Sequence, residues 1–366
     1  MRVLIAPDSF TGTLSATEAA GAIAAGWRRA RPEDDVDLLP LSDGGPGFVE
    51  VLHTALGGEL VPCPVTGPLG APVAASVLVV GETAYLESAQ ACGLHLVSSD
   101  RRDPSATTSR GVGELVAAAA PLARRVVVGL GGSGTNDGGA GLLQALGWSL
   151  RDADGMEIPG GGLALEDLRE VRPVPAPAVE IVAATDVDNP LLGPAGASYV
   201  FGPQKGATVE QVGRLDAALR HWADLAEPAV AAAGTRGLPG AGAAGGLGFA
   251  LLLLGGRRDS GIELVLEASG LRARAADADL VLTGEGSFDP QSLRGKVVAG
   301  VAGATATPCV VLAGRVSVDA VSAADAGVTA AYDTRLVDAN GATPAGERLA
   351  RLAALVAGRW TDAPPP

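Results

Sequence analysis

Short apolar runs alternate with helix-length segments at the start of this chain, and the same rhythm returns only near its end. Val3–Ala6 reads as a strand, Ala16–Arg29 has helical periodicity, Val36–Leu39 is a second strand and Phe48–Leu56 a second helix. Late in the chain Leu280–Leu282, Cys309–Leu312 and Val328–Ala331 read as strands, with helices at Val297–Ala304 and Glu347–Gly358. Brief apolar strands separated by helices belong to parallel sheets covered on both faces, because a parallel crossover needs a helix-length connection. Two strands early and three late make five. The middle breaks the rhythm. Val77–Val80 and Ala84–Glu87 flank a Gly-Glu-Thr turn, as in an antiparallel hairpin, and glycine-rich turns and longer helices follow to about residue 270. The order predicts one doubly wound α/β domain, residues 1–60 and 275–360, interrupted by an inserted α/β domain at 61–274. The cleft between two such domains is the default ligand site. The PAPA stretch Pro175–Ala178 is a turn inside the insertion, and the tail 361–366 is expected to be disordered.

Composition excludes several function classes. The net charge of −14 argues against a nucleic-acid surface, whose footprint is a basic patch. Cys63, Cys92 and Cys309 are scattered and odd in number, which suits free thiols in a reducing compartment. His53, His95 and His221 have no metal-ligand spacing. The start, MRVLIAPDSF, enters a strand without signal-peptide architecture, and the longest apolar run, FALLLL, is too short to span a bilayer. A cytoplasmic protein, monomer or homodimer, with no nucleic-acid or membrane partner is expected.

Two lysines, Lys205 and Lys296, stand against 25 arginines, each beside a glycine. A lysine ammonium is a compact point charge on a flexible stem and suits a phosphate oxygen in a tight site, so both are candidates for that role.

Five loops concentrate polar residues among glycines. In APDSFTG, Asp8 and Ser9 stand at the carboxyl end of the first strand, where open α/β sheets place ligands. In LSDGGPG, Asp43 precedes Gly44 and Gly45, which allow close backbone approach or a tight turn. In VVVGLGGSGTNDGGAGLLQALG, Gly129, Gly131 and Gly134 match a dinucleotide fingerprint. With 52 glycines in 366 residues roughly one such match arises by chance, so the nicotinamide reading rests on little. What remains there is a glycine-rich turn before a helix, where Gly131, Gly132, Ser133, Thr135 and Asn136 could cradle a phosphate. Asp186 and Asp188, at i and i+2 after an apolar strand, could hold Mg²⁺, although an Asx turn before Pro190 would use Asp188 and Asn189 otherwise. In VLTGEGSFDPQSLRGKVV, Glu285 and Asp289 precede Lys296; Val297 stands where a P-loop hydroxyl would bind Mg²⁺, so this is not a P-loop. Aspartates, glycine amides and two lysines form a phosphoryl-transfer inventory. Asp8, Asp43 or Asp289 could accept the hydroxyl proton.

In order and spacing these loops resemble the bacterial glycerate kinase family (type I, glycerate 2-kinase group) over nearly the whole chain. The most specific segments are GGSGTNDGGAGLLQALG and TDVDNPLLGPAGASYVFGPQKGA, supported by GAGAAGGLG and LTGEG. The resemblance implies ATP- and Mg²⁺-dependent phosphorylation of D-glycerate to 2-phosphoglycerate, on a flavodoxin-like domain interrupted by a second α/β domain. The family usually has lysine where this chain has Thr11, glutamate at Pro46, arginine at Ser287, asparagine at Asp103 and tyrosine at Arg110. Two lost cations should weaken anion binding, which Arg110 could partly restore; each charge-assisted hydrogen bond is worth roughly 1.5–3 kcal/mol. Lys205 and Lys296 are expected to bind phosphate or the substrate carboxylate, and Ser9, Thr11, Gly44, Gly45, Arg110 and Glu285 the substrate. A kinase of another small hydroxy acid, or a non-catalytic binding protein on the same scaffold, are the alternatives.

Overall fold

A computed structural model describes residues 1–10, 12–293 and 296–360. Two compact units partition the chain: Met1–Asp43, Glu50–Leu56 and Ile262–Pro366 form the first, Gly44–Val49 and Gly57–Gly261 the second.

The first unit is built on a five-stranded sheet in the order Ala330–Asp333, Cys309–Ala313, Leu280–Thr283, Arg2–Ile5, Asp35–Leu38. Every neighbouring pair is parallel. Its central strands are the apolar runs of the sequence and are buried but for Arg2: Val3, Ile5, Leu280, Leu282, Val310 and Leu312 form one core with Ile23 and Trp27 of the first helix and Leu349 and Leu352 of the last. Those helices, Ala16–Ala30 and Ala345–Arg359, meet backbone to backbone. A Cβ on Gly26 would lie 2.0 Å from the Ala350 carbonyl oxygen, so only glycine permits the approach. The first helix starts where its sequence says it should: Ser15 and Glu18 form a reciprocal capping box.

The second unit carries a mixed six-stranded sheet in the order Arg257–Asp259, Glu180–Ala184, Arg125–Gly129, Thr83–Glu87, Ser76–Val80, Glu59–Pro62. The first four strands are parallel and the last three are joined antiparallel, as the Gly-Glu-Thr hairpin predicts. Trp222, on the long helix Val209–Ala229, stacks edge-on against both Trp148 and Phe249 and donates its indole N–H to the Gly138 carbonyl at 3.1 Å. One predicted strand is displaced. Val328 closes the turn after helix Ala320–Asp325 through its N–H to Ala323, and the ladder with Val310–Ala313 starts only at Ala330. Val328–Ala331 was therefore apolar for two different reasons, a helix-end plug and then a strand.

Candidate active site

Within the first unit, chain entry into the site is set by hydrogen bonds between strand ends. The Asp8 N–H donates to the Gly284 carbonyl at 2.8 Å and the Thr283 hydroxyl to the Ala6 carbonyl at 2.8 Å. The loops after Arg2–Ile5 and Leu280–Thr283 thus lie side by side at the carboxyl edge of the sheet, and they carry Asp8 and Glu285. Asp8 accepts the N–H of Ser9 at 2.6 Å. Burial pushes the Asp8 carboxyl well above the ordinary range, helped by the charges of Asp43 and, less, Glu285; the Ser9 N–H opposes. Glu285 is 6% exposed. Burial is again the main cause that lifts its carboxyl, to about 7; Ser292 and Lys296 pull it down, Asp289 and Asp43 push it up. Its Oε1 is buried with no hydrogen-bond partner among the described residues. Asp289 is half-buried, accepts the Gln291 N–H at 2.8 Å and receives no ion pair among the described residues. Lys296 is half-buried at the N-cap of helix Val297–Ala304. The first unit therefore brings Asp8, Asp43, Glu285, Asp289 and Lys296 into one electrostatic neighbourhood, with Ser9 at its edge. Thr11 lies outside the described residues.

The second unit organises its candidates differently. Ser133, Thr135 and Asn136 are buried, while Gly131 and Gly132 reach the surface. Lys205 is 2% exposed, and its ammonium donates to the Ser133 hydroxyl at 2.9 Å and to the Thr135 carbonyl at 2.7 Å. Burial lowers its pKa to about 8, against the opposing pull of Cys92 and Asp137. Thr135 donates its hydroxyl to Thr107 and Asn136 its amide to Ser198. The amides opening helix Ala140–Ala145 are not left for a phosphate. The Asp137 carboxylate takes the N–H of Gly139 at 3.1 Å and of Gly141 at 3.3 Å, and both the N–H and hydroxyl of Ser109 at 2.8 Å. Burial raises the Asp137 carboxyl nonetheless, because those four donors only partly offset desolvation. The donors at the start of this helix are taken up internally, because the carboxylate of Asp137, three residues before Ala140, reaches them.

Gly44 and Gly45 are buried against their own chain. A Cβ on Gly44, whose φ is +97°, would sit 2.8 Å from the Ala184 carbonyl, and one on Gly131 would sit 2.6 Å from Gly45 Cα. Glu87, which the sequence reading passed over, ends a parallel strand and accepts the N–H groups of Gly47 and Val49 at 3.1 and 3.3 Å. Its signal was a lone acid closing an apolar strand. Asp186 accepts the Ser260 hydroxyl at 2.6 Å, and Asp188 is exposed. Among the described residues no group of three or more His, Cys, Asp or Glu side chains could hold a metal ion. Arg110 pairs with Glu114 at 3.3 Å and lines a cavity of ≈ 610 Å³ with Trp148 and Gln144. Asp103 accepts from Ser105 and Gln211. Among the described residues no helix is long and apolar enough to cross a membrane.

A sequence model of the glycerate kinase family matches residues 3–357. The chain is 46% identical over 343 residues to a glycerate kinase of Bacillus subtilis (strain 168), covering 91% of this chain and 90% of that protein. It is 46% identical over 311 residues to glycerate 2-kinase of Escherichia coli (strain K12), covering 82% and 81%. A crystal structure from Salmonella typhimurium LT2, carrying a provisional glycerate kinase 2 designation, superimposes with a TM-score of 0.77 at 42% identity over 98% of both chains.

Proposed function

The chain belongs to the glycerate kinase family, and we propose that it transfers the γ-phosphoryl group of ATP to the 2-hydroxyl of D-glycerate, using the acid cluster of its first unit. The observation that carries this reading is Asp8. It stands at the carboxyl edge of a parallel sheet, and burial and Asp43 raise its carboxyl well above the ordinary range. A carboxyl raised in this direction holds a proton more tightly than an ordinary aspartate does, as a general base must. Asp8 accepts the proton of the attacking hydroxyl. Lys296 is a cation beside the acids, and it opposes the charge gathering on the transferred group.

The strand order 2-1-3-4-5 of the first unit supports reading it as flavodoxin-like, with ligands at that edge. A hard cation fits the same place: the orphaned Glu285 Oε1, beside Asp43 and Asp289, is an oxygen acceptor of the right chemistry. Mg²⁺ commonly binds through one or two carboxylates and the phosphates it accompanies, so the lack of a three-acid group among the described residues is compatible with it. Asp43 and Glu285 would hold it, and it would supply neutralisation of phosphate charge. Lys205 acts from inside, positioning the Ser133–Thr135 segment. A soluble cytoplasmic enzyme acting on a small hydroxy acid fits all of this.

The test is product identification. Purified protein with ATP, Mg²⁺ and D-glycerate should give 2-phosphoglycerate by phosphorus NMR, and Lys296→Ala should lower kcat by about 10²-fold or more with an unchanged melting temperature. No ATP-dependent phosphorylation of glycerate or related hydroxy acids would sink the assignment.

A further inference from the structure

The chain holds three asparagines, Asn136, Asn189 and Asn340, and only the last is followed by glycine. The side-chain amide of an asparagine can be attacked by the backbone nitrogen of the next residue, which closes a five-membered imide ring. The step needs a nitrogen with a proton to lose, an approach unhindered by a Cβ, and a backbone free to bend. Asn189 fails the first condition, because Pro190 has no N–H. Its amide is also held by the Ala195 carbonyl at 2.7 Å. Asn136 fails the other two: it is fully buried, precedes Asp137 and donates its amide to Ser198.

Asn340 meets all three. It and Gly341 are exposed, and they lie outside any strand, between the short helix Thr334–Leu336 and helix Ala345–Arg359. The Asp338 carboxylate closes the turn around them by accepting the Thr343 N–H at 2.8 Å, so the pair stands at its tip. The Gly341 N–H reaches the Asp338 carbonyl only at 3.4 Å, beyond the about 2.7–3.2 Å of an ordinary N–H···O bond. The attacking nitrogen is therefore weakly held. Loop tips built of small and polar residues are also the parts of a fold that open at least cost.

We propose that Asn340 is a site of spontaneous modification, converted through a cyclic imide with Gly341 to aspartate and isoaspartate. The Gly341 nitrogen bonds to Asn340 Cγ. The Cγ–Nδ2 bond breaks, and Nδ2 leaves as ammonia with the proton that Gly341 gives up. Water then opens the ring. Attack at Cγ restores the original backbone and leaves aspartate; attack at the main-chain carbonyl carbon of residue 340 leaves isoaspartate, with the backbone running through the former side chain. Water is the one co-reactant, and either product carries one more negative charge than the asparagine. Asn340 and Gly341 line a cavity of ≈ 540 Å³ whose charged lining residues are Arg335, Asp338 and Arg348. Conversion changes that set from two cations against one anion to two against two.

The experiment is peptide mapping by mass spectrometry of the full chain, held for days at neutral pH and physiological temperature. A synthetic peptide of residues 336–348 serves as the unrestrained reference, and trypsin releases the same segment, Leu336 to Arg348, from the protein. The segment in the folded chain should convert within about tenfold of the peptide's rate, because a loop tip opens at little cost. It should contain isoaspartate as well as aspartate, while the segments with Asn136 and Asn189 keep their amides. Ion exchange should resolve a more acidic species that Asn340→Gln does not form, since a glutamine would have to close a six-membered ring. Gly341→Ala should slow the conversion by placing a Cβ beside the attacking nitrogen. A folded chain slower than the peptide beyond that tenfold margin, aspartate without isoaspartate, or the same acidic species in Asn340→Gln would each overturn the proposal.

Discussion

Glu285 shows how one buried carboxyl can give a protein a pH-dependent stability. Below its ordinary pKa of 4.5 it is protonated whether the chain is folded or not. Between 4.5 and about 7 the unfolded chain ionises it and the folded chain does not, so folded stability falls as pH rises through this window. Above about 7 the folded protein carries the full cost of the buried charge. Glu285→Gln removes the titration while keeping the shape. The variant should be more stable than the wild type at pH 8, on the order of 3 kcal/mol for a shift from 4.5 to about 7, with the difference vanishing toward pH 4. Urea melts at pH 4, 6 and 8 measure it, and an equal difference at all three would refute the burial argument. The residue itself was legible: Thr-Gly-Glu-Gly after an apolar strand marks a loop with an acid in it. Its burial was not, because the neighbours that desolvate it come from distant segments. Lys205 shows the same limit. Its scarcity among 25 arginines singled it out. Only the fold reveals that its ammonium is taken up by Ser133 and the Thr135 carbonyl inside the second unit.

At the scale of elements, periodicity carried most of the reading. The helices Phe48–Leu56 and Val297–Ala304 begin and end where the apolar spacing placed them. The glycine-rich segments did not yield to the same logic, because glycine fits a turn, a close approach or a ligand loop equally well. GAGAAGGLG is the clearest case. Helix Ala243–Leu253 carries three residues in the left-handed region at its start, Ala244, Gly245 and Gly246. A Cβ on Gly245 would lie 2.0 Å from the Thr135 carbonyl oxygen, the same oxygen that accepts from Lys205. The segment is thus a packing device that seats the Ser133–Asp137 turn. Gly245→Ala should lower stability by more than Gly255→Ala. Both force alanine to positive φ, at roughly 1–2 kcal/mol, but Gly255 has no atom within 4 Å of the added methyl. Thermal melts of the two variants compare strain alone with strain plus collision. Equal losses would mean that the close approach to Thr135 is not what Gly245 is for.

For the whole molecule, the order of elements along the chain implies a division of folding labour. The core of the second unit, from Val65 and Val77 through Leu251 and Leu253, with partly buried partners from Val61 to Leu254, falls entirely within residues 57–261. So do all six strands of its sheet and the cluster of Trp148, Trp222 and Phe249. The first unit has no such continuity, since its sheet draws strands from both sides of that span. An excised fragment of residues 57–261 should therefore fold by itself and unfold cooperatively in urea. Fluorescence would report the change through Trp148 and Trp222, the two tryptophans within it. It should also be less stable than the same unit in the full chain, for a specific reason. The fragment lacks residues 44–49, so Glu87, 4% exposed, loses the N–H donors of Gly47 and Val49, and the Phe48 ring leaves Tyr85. Removing donors from a buried carboxylate costs about 1–3 kcal/mol or more. Glu87→Gln should then be destabilising in the full chain but neutral or stabilising in the fragment, where there is no longer a reason to keep the charge. A fragment that binds a hydrophobic dye and melts without a transition would show that the unit's core is not sufficient, and that the six residues held by Glu87 are part of what folds it.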